Sequence, residues 1–214
     1  MITDSQIMQV YAAMEKICNE VNSMMVALDD LMKGKKFEQF SPLRWETSEA
    51  IGAPGYWLPY FSQRQYRKKG HLKRAAGFQI LLKDNTTDNS IPFITCGISE
   101  SDKELPTKND DFYVAGWHDE EIQNSRFKIN NTPFCYSKSE SCVILSYFLR
   151  LTAISNQNDL NEMVVKPMAK LFETIHLNQF EPDNISKSNS DNISSIINLI
   201  SKAVISIDTI KGPS

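Results

Sequence analysis

Apolar side chains recur every three or four residues along the N-terminal part of the chain, with polar residues between them. This spacing places the apolar residues on one face of an α-helix, which we predict from about Asp4 to Lys33. Thr3 and Gln6 fit a capping box at its start, and Gly34 fits a left-handed stop after its end. The predicted helix is roughly 45 Å long, more than one domain of this size comfortably covers.

The apolar face of this helix is broad, because the a, d and e positions of the heptad are all apolar. The e positions are Tyr11, Cys18, Met25 and Met32. The a and d positions, our candidate partner-binding residues, are Ile7, Val10, Met14, Ile17, Val21, Met24, Leu28 and Leu31. An undocked helix is marginal in water, so this face needs a cover. The rest of the chain, a second copy in a homodimer, and a different protein are the three alternatives.

Shorter apolar runs later in the chain are typical of an antiparallel sheet of about four to five strands. The strands are expected at 77–84, 91–99, 111–117, 125–129 and 141–153. The first two flank a polar turn and predict a hairpin, and the last is the most apolar and is expected to be central. Proline and glycine punctuate residues 37–77, where we predict mostly loops and turns, with a short helix near Glu46–Ile51.

The C-terminal part returns to helical periodicity. A second helix is predicted from about Asn158 to Leu177, with Pro167 kinking or splitting it. The last segment, about Asp191 to Lys211, has helical spacing, although its isoleucines leave a strand open for "AVISIDTI".

These elements predict an α+β protein with four parts. The parts are an N-terminal amphipathic helix (1–36), an α+β core domain (37–177), a polar linker (178–192) and a C-terminal amphipathic helix (193–214) that packs on the core or on the N-terminal helix.

Composition narrows the cellular setting. The formal charge of −3 does not favour nucleic acid or anionic membrane as a global average. No apolar run approaches the roughly 20 residues of a membrane span, and the N-terminus has no secretory signal pattern. The four cysteines show neither CxxC nor zinc-ligand spacing. A Cys135–Cys142 bridge would close a hairpin, but a reducing cytoplasm without disulfides is the simplest setting. We therefore predict a cytoplasmic protein with no membrane contact.

A basic and aromatic segment at 56–78 is the second candidate site, since no acidic residue lies between Glu49 and Asp84. Cations that neutralise phosphates beside rings that stack on bases are typical of single-strand or RNA binding. The candidate nucleic-acid-binding residues are Trp57, Tyr60, Arg64, Tyr66, Arg67, Lys68, Lys69, Lys73 and Arg74. The alternatives are a solvated rim around aromatic residues that seat a loop, and an acidic protein surface such as the acidic run at 100–121.

The sequence offers little for catalysis. The phosphate-binding loop, the dinucleotide fingerprint, HExxH and GxSxG are all absent. The best remaining cluster is "GWHDEE" at 116–121, with Asp110 and Asp111 upstream. His118 there would serve as a general base or help to hold a divalent cation. Adjacent strand residues point to opposite faces, however, so at most alternate members converge. We predict no cofactor and no metal.

Our leading hypothesis is a non-enzymatic cytoplasmic protein-interaction or assembly protein, which acts through its N-terminal helix as a homo-oligomer or as a subunit of a complex. A nucleic-acid-binding accessory protein using residues 56–78 is the alternative. A hydrolase or metal-dependent enzyme around His118 is the third hypothesis.

Overall fold

A computed structural model describes residues 3–40, 44–47, 59–82, 91–105, 127–129, 132–138, 142–182 and 185–206. It begins with helix α1, Asp4–Gly34, whose capping box between Thr3 and Gln6 is confirmed. The left-handed stop at Gly34 is wrong, because Lys36 has the positive φ of 63°. The amides of Lys35 and Lys36 bond to carbonyls three residues back, so the left-handed turn comes after the helix has ended.

The strands form one antiparallel sheet of nine, in the order β1-β3-β4-β5-β8-β7-β6, with β2 also paired to β3 and β9 to β8. They are β1 Phe37–Gln39, β2 Arg44–Thr47, β3 Pro59–Lys68, β4 Arg74–Leu81, β5 Phe93–Ser101, β6 Phe127–Lys128, β7 Cys135–Lys138, β8 Cys142–Arg150 and β9 Val204–Ile205. The α+β class, the antiparallel sheet and the predicted β4–β5 hairpin are confirmed. The sheet is larger than the four to five strands that the sequence predicts.

Two local predictions in the region before β4 are wrong. Residues 37–77 hold three strands where loops were expected. Strand β2 occupies Arg44–Thr47, so the short helix near Glu46–Ile51 does not begin there, and residues 48–51 lie outside the described residues. The candidate strand at 111–117 also lies outside them.

The helices after the sheet cover one of its faces. Helix α2 (157–174) consists of an α-turn Gln157–Asp159, a π-helical segment Leu160–Val165 and an α-segment Lys166–Thr174. Pro167 is the second residue of the α-segment that follows the π-helical segment, so the regular helix is interrupted near this proline, as predicted. Proline has no N–H to give to the carbonyl of Met163. The hydroxyl of Tyr147 on β8 lies 3.3 Å from the carbonyls of both Met163 and Val164, and it compensates for the missing donor.

The C-terminal segment differs from its predicted bounds. Helix α3 spans Lys187–Ile200, with the hydroxyl of Ser186 accepting from the amide of Asn189 at its start. It therefore begins inside the segment 178–192 that was predicted as a linker. It also ends well before Lys211, because the chain turns at residues 201–203 into β9. The strand alternative for "AVISIDTI" is thus correct for Val204–Ile205.

The two faces of the sheet have different chemistry. The face towards the helices is apolar and includes Tyr66, Phe78, Ile98 and Leu145, which belong to the main core together with α1, α2 and α3. The opposite face carries buried small and polar residues at its centre, among them Gln79, Thr95, Gly97 and Ser146. Within the described part of the chain, no helix combines the length and apolar content needed to cross a bilayer.

Gly97→Ala is expected to lower the free energy of unfolding by about 1–3 kcal/mol, because extra atoms in a packed interior force neighbours to move. A Cβ at this position would lie 2.6 Å from the carbonyl oxygen of Leu145 and 3.1 Å from Ser146. Both neighbours belong to the paired strand β8, so the backbone itself has to shift. Urea denaturation measures the change. Gly34→Ala is the matched control, since a Cβ there meets nothing within 4 Å, and an equal effect of both variants would contradict the crowding at Gly97.

Candidate protein-interaction surface

Helix α1 is packed on its own domain only along its C-terminal half. Val21, Met25, Leu28 and Met32 are buried in the main core, at 0–4% exposure. The predicted partner-binding residues Met24 and Leu31 are partly buried against the same core. This half contacts β1 and the π-helical segment of α2. The apolar a, d and e residues of α1 form a stripe along the helix, and at these positions the stripe is covered by the same chain.

The N-terminal half of α1 carries the same stripe, and little of the described chain covers it. We call residues 4–20 the N-terminal arm, which is about 25 Å long. Its large apolar residues are well exposed, namely Ile7 at 44%, Val10 at 58%, Tyr11 at 56% and Ile17 at 45%. Met14 and Cys18 on the same face are half-buried. The stripe therefore runs along the whole of α1, whereas the rest of the domain packs against it only from about Val21 onwards.

Asp29 anchors the covered half of α1 to the sheet. Its carboxylate accepts from Nη2 of Arg64 at 2.9 Å and from the hydroxyl of Tyr66 at 2.7 Å, and both donors lie on β3. Tyr66 is 1% exposed. Burial raises the pKa of the Tyr66 hydroxyl strongly, and the hydrogen bond to Asp29 raises it further. Because a neutral phenol is a donor, this arrangement keeps the hydroxyl bonded to the helix.

Sequence reasoning did not identify Asp29 as a functional residue. Its partners follow 35 and 37 positions later in the chain, so no local spacing reveals the pairing. The anchor sets how α1 lies on the sheet, and the direction of the arm follows from it, because one continuous helix joins the two halves.

Those candidate nucleic-acid-binding side chains that the structure describes lie in different surroundings. Trp57 lies outside the described residues, and Tyr60 is placed in β3 with nothing described of its side chain. Arg64 and Tyr66 face α1. Lys68 pairs with Glu173 on α2 and lies over the ring of Phe37, at 4.9 Å. These cations therefore help to hold the helices on the sheet.

Arg74 is the most buried of these cations, at 7% exposure. Its Nε lies 3.4 Å from Oε2 of Glu100, and its Nη2 donates to the carbonyl of Ile175. Burial lowers the pKa of the guanidinium, and the carboxylate of Glu100 raises it in part. Glu100 also accepts from the amide of Leu177, at 2.7 Å. Arg74 therefore ties the end of α2 to β4 and β5.

The remaining cations of the segment lie elsewhere. The guanidinium of Arg67 lies 5.6 Å from the ring of Phe40. Lys69 and Lys73 are exposed in the turn between β3 and β4, where Lys73 donates to the carbonyl of Asp102. Nucleic-acid binding by residues 56–78 stays a prediction, but at least four of its nine candidate side chains are engaged within the fold.

The predicted catalytic cluster at 116–121, with His118, Asp110 and Asp111, lies outside the described residues. In the part of the chain that is described, no three potential ligands are grouped closely enough to hold a metal ion. All four cysteines are thiols. Cys135 lies opposite Ser146 and Cys142 opposite Ser101, so the Cys135–Cys142 bridge is not formed.

A polar cleft of about 360 Å³ lies where β5, β7 and β8 end. Glu100, Lys138, Cys142 and Glu181 are among its lining residues. Burial raises the pKa of the Cys142 thiol to about 12. The thiol is therefore protonated at neutral pH, whereas a nucleophilic cysteine needs the thiolate.

The exposed stripe of the N-terminal arm is thus the feature of the described chain that its own fold explains least. Its side chains are apolar, apart from the hydroxyl of Tyr11 and the thiol of Cys18. Comparison with family models, with curated proteins and with solved structures finds nothing that matches this chain.

Proposed function

We propose that this chain is a non-enzymatic cytoplasmic interaction or assembly protein, and that its N-terminal arm binds another protein chain. The main observation in its support is the apolar stripe, which continues from Val21 back to Ile7, beyond the part of α1 that its own domain buries. Contiguous exposed apolar surface of this kind is typical of a protein interaction site. The four thiols fit a reducing compartment.

Energetics support a bound state of the arm. Fully burying a valine, isoleucine or similar side chain contributes about 1.5–3 kcal/mol. Ile7, Val10 and Ile17 remain about half exposed, so each still has roughly half of this free energy to gain. The covered half of α1 also removes the nucleation cost, because the arm only extends a helix that already exists. A partner therefore meets a preformed, amphipathic surface, which lowers the ordering cost of association.

The arrangement of charge also favours a protein partner. The arm carries Asp4, Glu15, Lys16 and Glu20 and therefore has a net charge of −2. Lys16 and Glu20 pair with each other at 3.8 Å on the exposed side. An apolar stripe between weakly acidic flanks suits a helix-in-groove or helix-on-helix contact. It does not suit a phosphate backbone or an anionic lipid surface.

The proposal is tested by placing a photo-activated crosslinking residue at Val10 or at Ile17, in cells that produce the full chain at its natural level. We expect a covalent adduct with a protein from both positions. Gln9 is the matched control, because it lies on the same helix, is exposed, and occupies a c position on the side opposite the stripe. Adduct yields at Val10 and Ile17 no higher than at Gln9 would overturn the proposal, since all three sites are exposed to chance collisions.

A further inference from the structure

We infer that the arm is covered by the arm of a second copy of this chain, packed antiparallel about a two-fold axis level with Ala12. This inference rests on the proposed function and names its partner. A two-fold contact uses the same surface on both copies, so a single exposed stripe is enough to build it.

The register follows from where each domain begins to cover its own helix. The arm starts at Thr3, and the domain covers the stripe from Val21 onwards. The uncovered parts of two antiparallel helices overlap completely when Thr3 of one copy is level with Val21 of the other. The numbers of facing residues then add up to about 24. Under this rule every a position faces a d position, which is how antiparallel helices interlock.

The facing residues have matching character in this register. Ile7 lies opposite Ile17 of the second copy, and Val10 lies opposite Met14 of the second copy. All four are on the apolar stripe. Ala12 is level with its own counterpart at the axis, and Ala13 lies one residue from the axis at the edge of the contact, where its small side chain lets the two helices approach closely.

The charges at the edges are compatible as well. Glu20 of one copy lies beside Gln6 of the other, next to the first turn of that helix. The unsatisfied amides there form the positive end of the helix dipole, which attracts a carboxylate. In this register no charged position faces a like charge across the pair, since Asp4 is level with Glu20 but lies on the opposite flank of the helix.

A parallel pair does not fit the same surface. Each domain covers the stripe side of α1 beyond Val21. In a parallel pair both domains would need the same space between the two helices, whereas an antiparallel pair places each domain beyond the tip of the other arm. The opposite placement therefore leaves room for both.

The area that becomes covered is sufficient for a specific contact. The exposed fractions of Ile7, Val10, Tyr11 and Ile17 leave roughly 400 Å² of accessible surface on each copy. With Met14, Cys18 and the flanking residues, pairing removes about 1,000 Å² in total, which is near the lower limit for a specific interface. An interface of this size is typical of weak association, so we expect a dimer that is populated at about 100 µM protein and dissociates on dilution.

The test uses light scattering and engineered disulfides on the full chain, with Cys18→Ser as background so that the remaining native cysteines are buried. At about 100 µM the unmodified chain should have the mass of two copies. The double variant Ile7→Cys/Ile17→Cys should form a crosslinked dimer under mild oxidation. Ile7→Cys alone should not, because its counterpart in the other copy lies about ten residues away along the helix, roughly 15 Å.

Each outcome is decisive. A monomer at this concentration, or a crosslinked dimer from Ile7→Cys alone, would overturn the antiparallel pair. A monomer combined with a photo-adduct from Val10 to a different protein would overturn this inference and leave the proposed function standing, whereas a monomer without any photo-adduct would overturn both. Val10→Glu should reduce the mass to one copy at about 100 µM, and its urea midpoint of unfolding should equal that of the unmodified chain when both are dilute enough to be monomers. Because Val10 is exposed, that variant is expected to fold.

Discussion

Replacing Leu28 by alanine should lower the free energy of unfolding by about 2–5 kcal/mol, the cost of deleting a fully buried leucine side chain. Leu28 is 0% exposed and belongs to the main core, between the covered half of α1 and the sheet. The lost contacts and the cavity left behind both contribute to this cost. Urea denaturation followed by circular dichroism measures it, with the chain dilute enough to be a monomer so that association does not add to stability.

Val26→Ala is the matched control for this prediction. Val26 lies on the same helix two residues earlier and is 53% exposed. Its replacement should change the free energy of unfolding by less than about 0.5 kcal/mol, as is usual for a surface position. If the two variants proved equally stable, α1 would not be held by its own domain. The distinction between a covered half and an arm would then fail.

That distinction could not be predicted from the sequence. The helix itself could be, including its capping box, because periodicity and end signals are local properties. The stripe has the same spacing in both halves, with Ile7 and Met14 repeated by Val21 and Leu28. What separates them is burial: Val21 and Leu28 belong to the main core, whereas Ile7 is 44% exposed. This burial depends on contacts between residues that are far apart in the chain, and a local sequence pattern cannot predict such contacts.

Strand β3 shows the same limit more sharply. Its residues alternate, but Arg64 and Lys68 occupy the side that faces the helices, so the segment resembles a basic loop. Arg64 is accommodated there because Asp29 supplies the opposite charge, and Arg74 on β4 because Glu100 does. A buried cation is acceptable only when such a partner is present. Because both partners are distant in sequence, neither the strand nor its true orientation could be inferred.

The predicted bounds of the C-terminal helix are wrong for another reason. Isoleucine at helical spacing also suits a strand, since β-branched side chains pack well on a sheet. The chain uses both possibilities, with Ile193 and Ile196 in α3 and Ile205 in β9. The change occurs after Ile200, where the amide of Ala203 bonds back to the carbonyl of Ile200 and turns the chain towards β8. Strand β8 presents a pairing edge to this segment, and that edge decides the outcome.

Asp29→Ala should lower the free energy of unfolding by about 2–4 kcal/mol, less than for a fully buried pair because Asp29 is 28% exposed. The substitution leaves the guanidinium of Arg64 and the hydroxyl of Tyr66 without their acceptor, at a site where Tyr66 is almost completely buried. The loss is then set mainly by the unsatisfied donors. The same denaturation measurement applies, with Asp30→Ala as control, since Asp30 is exposed on the next position of the helix.

A double-mutant cycle separates the anchor from simple loss of charge. Combining Asp29→Ala with Arg64→Ala should cost at least 1 kcal/mol less than the sum of the single effects, since residues in one bonded network are not additive. Additive effects, or equal effects of Asp29→Ala and Asp30→Ala, would contradict the anchor. Hydrogen exchange of residues 21–33 should also become faster in Asp29→Ala, because the covered half of α1 then opens more readily. The arm would remain helical yet lose its fixed direction relative to the sheet.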